Sequence, residues 1–201
     1  LTRAVMERVC NDIAELGSAL PPDFRISINL SGVNFMDAQL IPTVRAVLDG
    51  AGVPASRIEF ELTETVLMRD LDYATVILAQ LREMGIRVAV DDFGTGYSSL
   101  AQLKRFPIDV LKIDQGFIRD IPHSADDMTI SSSVIALGHA MGLKVLAEGV
   151  ETQEQLSFLQ QKGCDYFQGY FCSRPLPAED FTRLLEKTRE GQPLVSVATA
   201  H

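Results

Sequence analysis

Short, β-branched apolar runs recur along this chain, and a stretch with helical spacing follows nearly every one. Residues 25–30, 58–62, 86–90, 110–113, 143–147 and 166–167 read as six strands. Helical patterns occupy 1–16, 37–48, 70–84, 98–105, 126–141, 152–161 and 178–189. In the first, Val5, Val9, Ile13 and Leu16 form the apolar face. Glycines stand where helices should stop, at Gly17, Gly50, Gly85, Gly142 and Gly163, and Pro107 breaks the fourth. Strands alternating with helices demand a parallel sheet covered by helices. A TIM-like (β/α)8 barrel and an open doubly wound sheet both meet that demand. No Gly-x-Gly-x-x-Gly opens a helix after the first strand, so a dinucleotide fold lacks its mark. The six strands are two short of a closed eight-stranded barrel. Residues 1–190 read as one α/β domain and 191–201 as a C-terminal tail.

The chain has 201 residues, 46% of them hydrophobic, which suits a globular domain with a sizeable core. A formal net charge of −9 argues against binding a nucleic-acid polymer, which wants a basic face. It leaves room for a small phosphorylated ligand held through metal ions. Cys10, Cys164 and Cys172 are odd in number and lack metal-ligand spacing, so they read as packing residues in a reducing cytoplasm. His123 and His139 have no partner at ligand spacing and read as structural or solvated. No apolar run is long enough to span a membrane and no signal peptide is evident. The first residue is Leu1, in keeping with a piece of a longer protein.

In α/β folds, ligands bind beyond the carboxyl ends of the strands. The polar residues there are Asn29, Glu61, Asp91 with Asp92, Lys112, Glu148 and Gln168. Asp91 and Asp92 are adjacent and follow Val88-Ala89-Val90, with Gly94 and Gly96 in the turn beyond. Two like charges about 4 Å apart repel by about 4 kcal/mol near a protein surface, and a divalent cation relieves this. A solvated turn is the competing reading for this segment alone, since Asp and Gly both form turns. The full set of strand ends favours chemistry. Asn, Glu and Asp are hard oxygen donors suited to Mg²⁺ or Mn²⁺. Adjacent aspartates can hold two ions, an arrangement fitted to in-line displacement at phosphorus. A lysine at the same mouth can orient or deprotonate water, or offset charge on the phosphate. These residues point to metal-dependent phosphoester hydrolysis. Glu59 shares a strand face with Glu61 and reads as an ordinary polar contact near the strand start.

The same residues carry a family resemblance. Asn29-Leu30-Ser31, Glu61-Leu62-Thr63-Glu64, residues 91–99, Leu111-Lys112-Ile113-Asp114, residues 147–152, Gln168-Gly169-Tyr170 and Arg174-Pro175-Leu176-Pro177 occur in the order found in the EAL domain. The chain resembles this bacterial phosphodiesterase domain, which acts on the second messenger cyclic di-GMP, over about residues 1–185. The resemblance implies a TIM-like barrel that linearises cyclic di-GMP to pGpG with two Mg²⁺ or Mn²⁺ ions. It makes Asn29, Glu61, Asp91 and Asp92 metal ligands. Lys112 would hold or deprotonate the attacking water, Glu148 would support the metal–water network, and Gln168 would position water. Glu64 would anchor the 91–99 loop, which couples the site to a homodimer. Asp114, Glu151, Arg174 and Pro175 would line the substrate cleft, although Arg174 and Pro175 equally suit a turn entering the last helix.

The chain also departs from the family. It contains no Glu-Ala-Leu triplet; Ala14-Glu15-Leu16 has the wrong order and lies in a helical stretch. The expectation is that the first two barrel strands precede Leu1, leaving unpaired edges, lower stability and weak hydrolysis by this chain alone. A receptor that binds cyclic di-GMP without cleaving it, and an interaction scaffold, are the competing functions. Any membrane association would come through domains outside this chain, and the location would be the bacterial cytoplasm.

Overall fold

A computed structural model describes residues 2–17, 20–94 and 100–189. Its six strands are β1 (Ile26–Asn29), β2 (Ile58–Thr63), β3 (Arg87–Phe93), β4 (Val110–Ile113), β5 (Lys144–Ala147) and β6 (Tyr166–Phe167). All neighbouring pairs are parallel, and the strands lie side by side in chain order. That order is the one a (β/α)8 barrel takes, so the six strands form a half-barrel rather than a doubly wound sheet.

Helix α1 (Thr2–Leu16) precedes the sheet; the crossovers carry α2 (Gly32–Phe35), α3 (Leu40–Ala51), α4 (Glu64–Leu67), α5 (Leu71–Met84), α6 (Leu100–Leu103), α7 (Ala125–Ala140) and α8 (Gln153–Gln161), and α9 (Ala178–Arg189) follows β6. The short helices α2 and α4 were not anticipated; each begins where a β-strand has just ended, too briefly for a 3.6-residue period to show. Local chemistry sets the longer ones. Asp70 caps α5 by accepting from the Tyr73 amide at 3.0 Å, and Gly85 ends it at φ 90°. Thr152 and Gln155 form a capping box at the start of α8.

The sheet's two faces differ. Ile28, Phe60, Leu62, Val88, Val90, Leu111, Ile113 and Val145 are buried in the main apolar core, which takes in the helices. The alternate residues include Ser27, Asn29, Glu59, Glu61, Arg87, Asp91 and Lys112, a face rich in polar groups. Near its start Glu59 accepts from Ser27 at 3.0 Å and pairs with Arg87 at 3.6 Å, the ordinary contact anticipated for it. In α1 the buried stripe is Met6, Cys10 and Ile13, whereas Val5 is 40% exposed. The face is thus turned by one residue from the expected one, because Met and Cys fill the core as well as Val does. No helix among the described residues is long and apolar enough to cross a membrane.

Candidate active site

Lys112 is the centre of the site. It lies on β4 with 2% of its side chain exposed. Its ammonium reaches Glu148 at 2.6 Å, Glu61 at 2.8 Å and Asp91 at 3.1 Å. These acids come from the ends of β5, β2 and β3, so one cation ties four strands together. The contact between β2 and β4 passes over β3, where the residue paired with Glu61 is the small, fully buried Ala89. Burial by itself disfavours the Lys112 charge, but hydrogen bonds to Glu148 and Glu61 outweigh it and raise the pKa. Glu148 is also raised: its burial dominates, Lys112 lowers it, and Asp91 and Glu61 push it up again. The two directions agree, since one ammonium is shared among three carboxylates and the acids remain in excess.

Asp91 and Asp92 do not follow a strand, as the sequence suggested; they lie inside β3, which runs on to Phe93. In a regular strand adjacent side chains would point to opposite faces. The pairing with β4 slips between Val90 and Phe93, and Asp92 has φ 55°. This bulge breaks the alternation. As a result Asp91, Asp92 and Glu148 offer oxygens that all lie within 4.8 Å of one another. Asp92 titrates above its usual range, through burial first and then through Asp91 and Asp114. The cluster is short of positive charge, and its donors are hard oxygens, which fit a divalent cation such as Mg²⁺ or Mn²⁺.

The other anticipated residues take distinct places. Asn29 ends β1, exposed, in register with Glu61. Gln168 directly follows β6, and its backbone N–H donates to the Ala147 carbonyl at 2.8 Å. Glu64 opens α4, 6% exposed, and its Oε2 is buried without a hydrogen-bond partner among the described residues. Residues 95–99, which that glutamate was expected to anchor and which were tied to a homodimer, lie outside the described residues. Asp114 accepts from the Gly116 amide at 2.7 Å and stands near enough to Asp92 to raise its pKa. Asp114 and Glu151 line one cleft of about 380 Å³ beside the acids. Arg174 is exposed, with its guanidinium 4.5 Å from the Tyr170 ring centroid, and Pro175 is exposed next to it; no described contact brings either to the acid cluster.

A second charged cluster, which no motif or spacing announced, sits at the opposite, amino end of the sheet. Asp165 accepts from Lys144 at 2.6 Å, from the Val145 amide at 2.9 Å, and contacts His139 Nε2 at 2.8 Å. Burial pushes its carboxyl up, but these bonds prevail and lower it to about 2. His139 is therefore structural, as expected. The thiols match their packing role: burial raises all three, Cys164 to about 11, so none is a ready nucleophile.

Comparison with known proteins adds independent evidence. The EAL domain family profile matches residues 1–175. Cyclic di-GMP phosphodiesterase NbdA of Pseudomonas aeruginosa is 46% identical over 182 residues, which cover 89% of this chain and 23% of that protein. The chain thus spans about a quarter of the length of the curated relatives it matches. The PaMucR phosphodiesterase in complex with c-di-GMP is 43% identical, with a TM-score of 0.86 over 90% of this chain and 73% of that one. Klebsiella pneumoniae BlrP1, in a manganese/cy-diGMP complex, is 34% identical, with a TM-score of 0.74 over 85% of this chain and 44% of that one.

Proposed function

The chain belongs to the EAL domain family, and on that premise we propose that it is the phosphodiesterase module of a bacterial signalling protein, hydrolysing cyclic di-GMP to linear pGpG. The observation that carries the proposal is the buried Lys112 shared by Glu61, Asp91 and Glu148, with Asp92 brought alongside by the bulge. Relatives named as phosphodiesterases, and structures of similar domains holding the dinucleotide, support it. In our proposal Asn29, Glu61, Asp91 and Asp92 would hold two Mg²⁺ or Mn²⁺ ions, with Glu148, whose oxygen lies beside those of Asp91 and Asp92, supporting the metal–water network. The manganese complex of BlrP1 supports the metal class. Bound there, divalent ions would supply charge to the phosphate oxygens and acidify the attacking water.

The remaining work falls to the chain's own groups. Lys112, held as an ammonium, would turn one N–H from its carboxylates to the water or to a phosphate oxygen, offsetting charge that develops there. Gln168 positions the water, Glu64 anchors the 91–99 segment, and Asp114, Glu151, Arg174 and Pro175 border the nucleotide. Water oxygen adds to phosphorus, one ring phosphate–ribose bond opens, and the released ribose oxygen takes a proton. A homodimer through the 91–99 region and a place in the bacterial cytoplasm belong to the same proposal. The test is chromatographic. The intact domain, incubated with cyclic di-GMP and Mg²⁺ or Mn²⁺, yields pGpG, Asp91→Asn abolishes it, and this chain alone hydrolyses weakly. Binding without product would instead make this a receptor for the dinucleotide, and neither binding nor product would refute both.

A further inference from the structure

Two loops flank the acid cluster, and a single buried side chain joins them. The first loop leaves β4 and holds Asp114, a 3₁₀ turn at Gln115–Phe117, Ile118 and Arg119. The second leaves β5 and holds Glu148, Gly149, Glu151 and Thr152. Gln155, in the first turn of α8, is 3% exposed. Its Oε1 accepts from the amides of Glu151 at 2.7 Å and Thr152 at 3.0 Å. Its Nε2 donates to the carbonyls of Ile118 and Arg119, both at 3.1 Å. Two donors on one side and two acceptors on the other fix the orientation of the amide and use its full bonding capacity. The cleft bordered by Asp114, Arg119, Glu151 and Thr152 lies between the two loops, with Gln155 in its lining.

We propose that Gln155 is a positioning residue whose amide sets the separation of these two loops, and with it the cleft that receives the part of the nucleotide beyond the scissile phosphate. This rests on the phosphodiesterase reading. The strand ends themselves are held independently, through the Glu148 amide on the Ile113 carbonyl at 3.1 Å. Close approach of Gly149 to Gln115 pins the loops near that point: a Cβ on Gly149 would come within 2.7 Å of the Gln115 Cβ. Lys112 and Glu148 therefore keep their places when the amide is changed, and only the outer cleft widens. The signature is a defect in substrate binding without one in chemistry.

Gln155→Glu tests this with an isosteric change. The new carboxylate still accepts from the Glu151 and Thr152 amides, so the start of α8 stays intact, but it faces two carbonyls across the gap with no donor. Gln155→Met removes both halves. For a folded Gln155→Glu, KM for cyclic di-GMP rises roughly tenfold while kcat stays within about twofold. Mn²⁺ affinity, read by titration, does not change. Gln155→Met shows the same split. Unchanged KM in folded Gln155→Glu overturns the proposal, since the amide would then serve only the helix start. A fall in kcat at constant KM overturns it as well. If neither variant folds, Gln155 is a folding element and the positioning role is refuted. If the unaltered protein binds cyclic di-GMP without cleaving it, the same comparison is made on Kd, and if it does neither, the functional reading fails before the clamp is tested.

Discussion

Among the described residues, Lys112→Met removes the cation that buried Glu61 and half-buried Asp91 and Glu148 share, at contacts of 2.6 to 3.1 Å. Methionine fills nearly the same volume, so the effect is electrostatic rather than a cavity. Removing one partner of a buried ion pair costs about 3–5 kcal/mol, because the other is left charged and unpaired. In a domain of this size each kcal/mol moves Tm by about 2–4 °C, so the metal-free variant melts roughly 6–20 °C lower. The loss depends on pH. Without the ammonium, Glu148 loses the partner that lowers its pKa while burial still raises it, so its folded pKa rises further above the unfolded one. A raised acid contributes stability that is full below the unfolded value, about 4, and lost as pH rises through the folded value. The gap between the variant and the wild type therefore widens from pH 5.5 to pH 8. Mn²⁺ supplies the missing charge, and at a hundredfold excess over Kd it returns about 2.7 kcal/mol. Thermal melts at the two pH values, with and without Mn²⁺, read all of this. A variant that melts within about 2 °C of wild type without metal, or with the same pH slope, would show that Lys112 does not organise the acids.

Substitutions at three other positions probe separate parts of the structure. Ala89→Leu forces bulk between Glu61 and Lys112 and costs about 1–3 kcal/mol in urea unfolding, with loss of hydrolysis. Asp92 adopts φ 55°, so Asp92→Asn keeps the fold while Asp92→Val is about 1–3 kcal/mol less stable. Without metal, Asp92→Asn melts no lower than wild type, since it relieves repulsion, but Mn²⁺ stabilises it less. At Asp165 the folded pKa of about 2 lies below its ordinary 3.8, so its contribution is full above pH 4 and is lost as pH falls toward 2. With His139 and Lys144 partly solvated, that contribution is about 1–2 kcal/mol, and chemical denaturation of Asp165→Asn at pH 7 and pH 3 shows the difference shrinking with acid.

The strand-end residues were legible because a parallel α/β sheet carries its polar residues at the same end of every strand. Reading the last polar position of each run therefore assembled Asn29, Glu61, Asp91, Lys112, Glu148 and Gln168 without coordinates. What escaped was geometry set by single backbone angles or by contacts distant in sequence. The strand was expected to stop at Val90 and instead continues through the acids, because an aspartate with φ 55° lets the ladder absorb an extra residue. Aspartate tolerates that conformation, but nothing in Asp91-Asp92-Phe93 requires it. The Asp165 cluster draws its partners from 20 and more residues away, two surface-type side chains and the backbone amide of buried Val145. Gln155 carried one local sign, its position three residues after Thr152, which announces a helix start and is silent on the loop across the cleft.

The residues that read plainly carry hard oxygens or an amine, the types a divalent ion and a phosphate call for, whereas what escaped is how single backbone angles and distant contacts place side chains. Lys112 shows both. Its three ion pairs hold β2, β3, β4 and β5 at one point when no other cation is present, yet leave the carboxylates in excess. A fold that fully neutralised its acids would have nothing left to draw in a divalent ion. One that left them unpaired would lose several kcal/mol of a stability that is itself only about 5–15 kcal/mol. The single buried lysine sits between those limits, and so stability and metal affinity at this mouth are expected to move in opposite directions when its charge is changed.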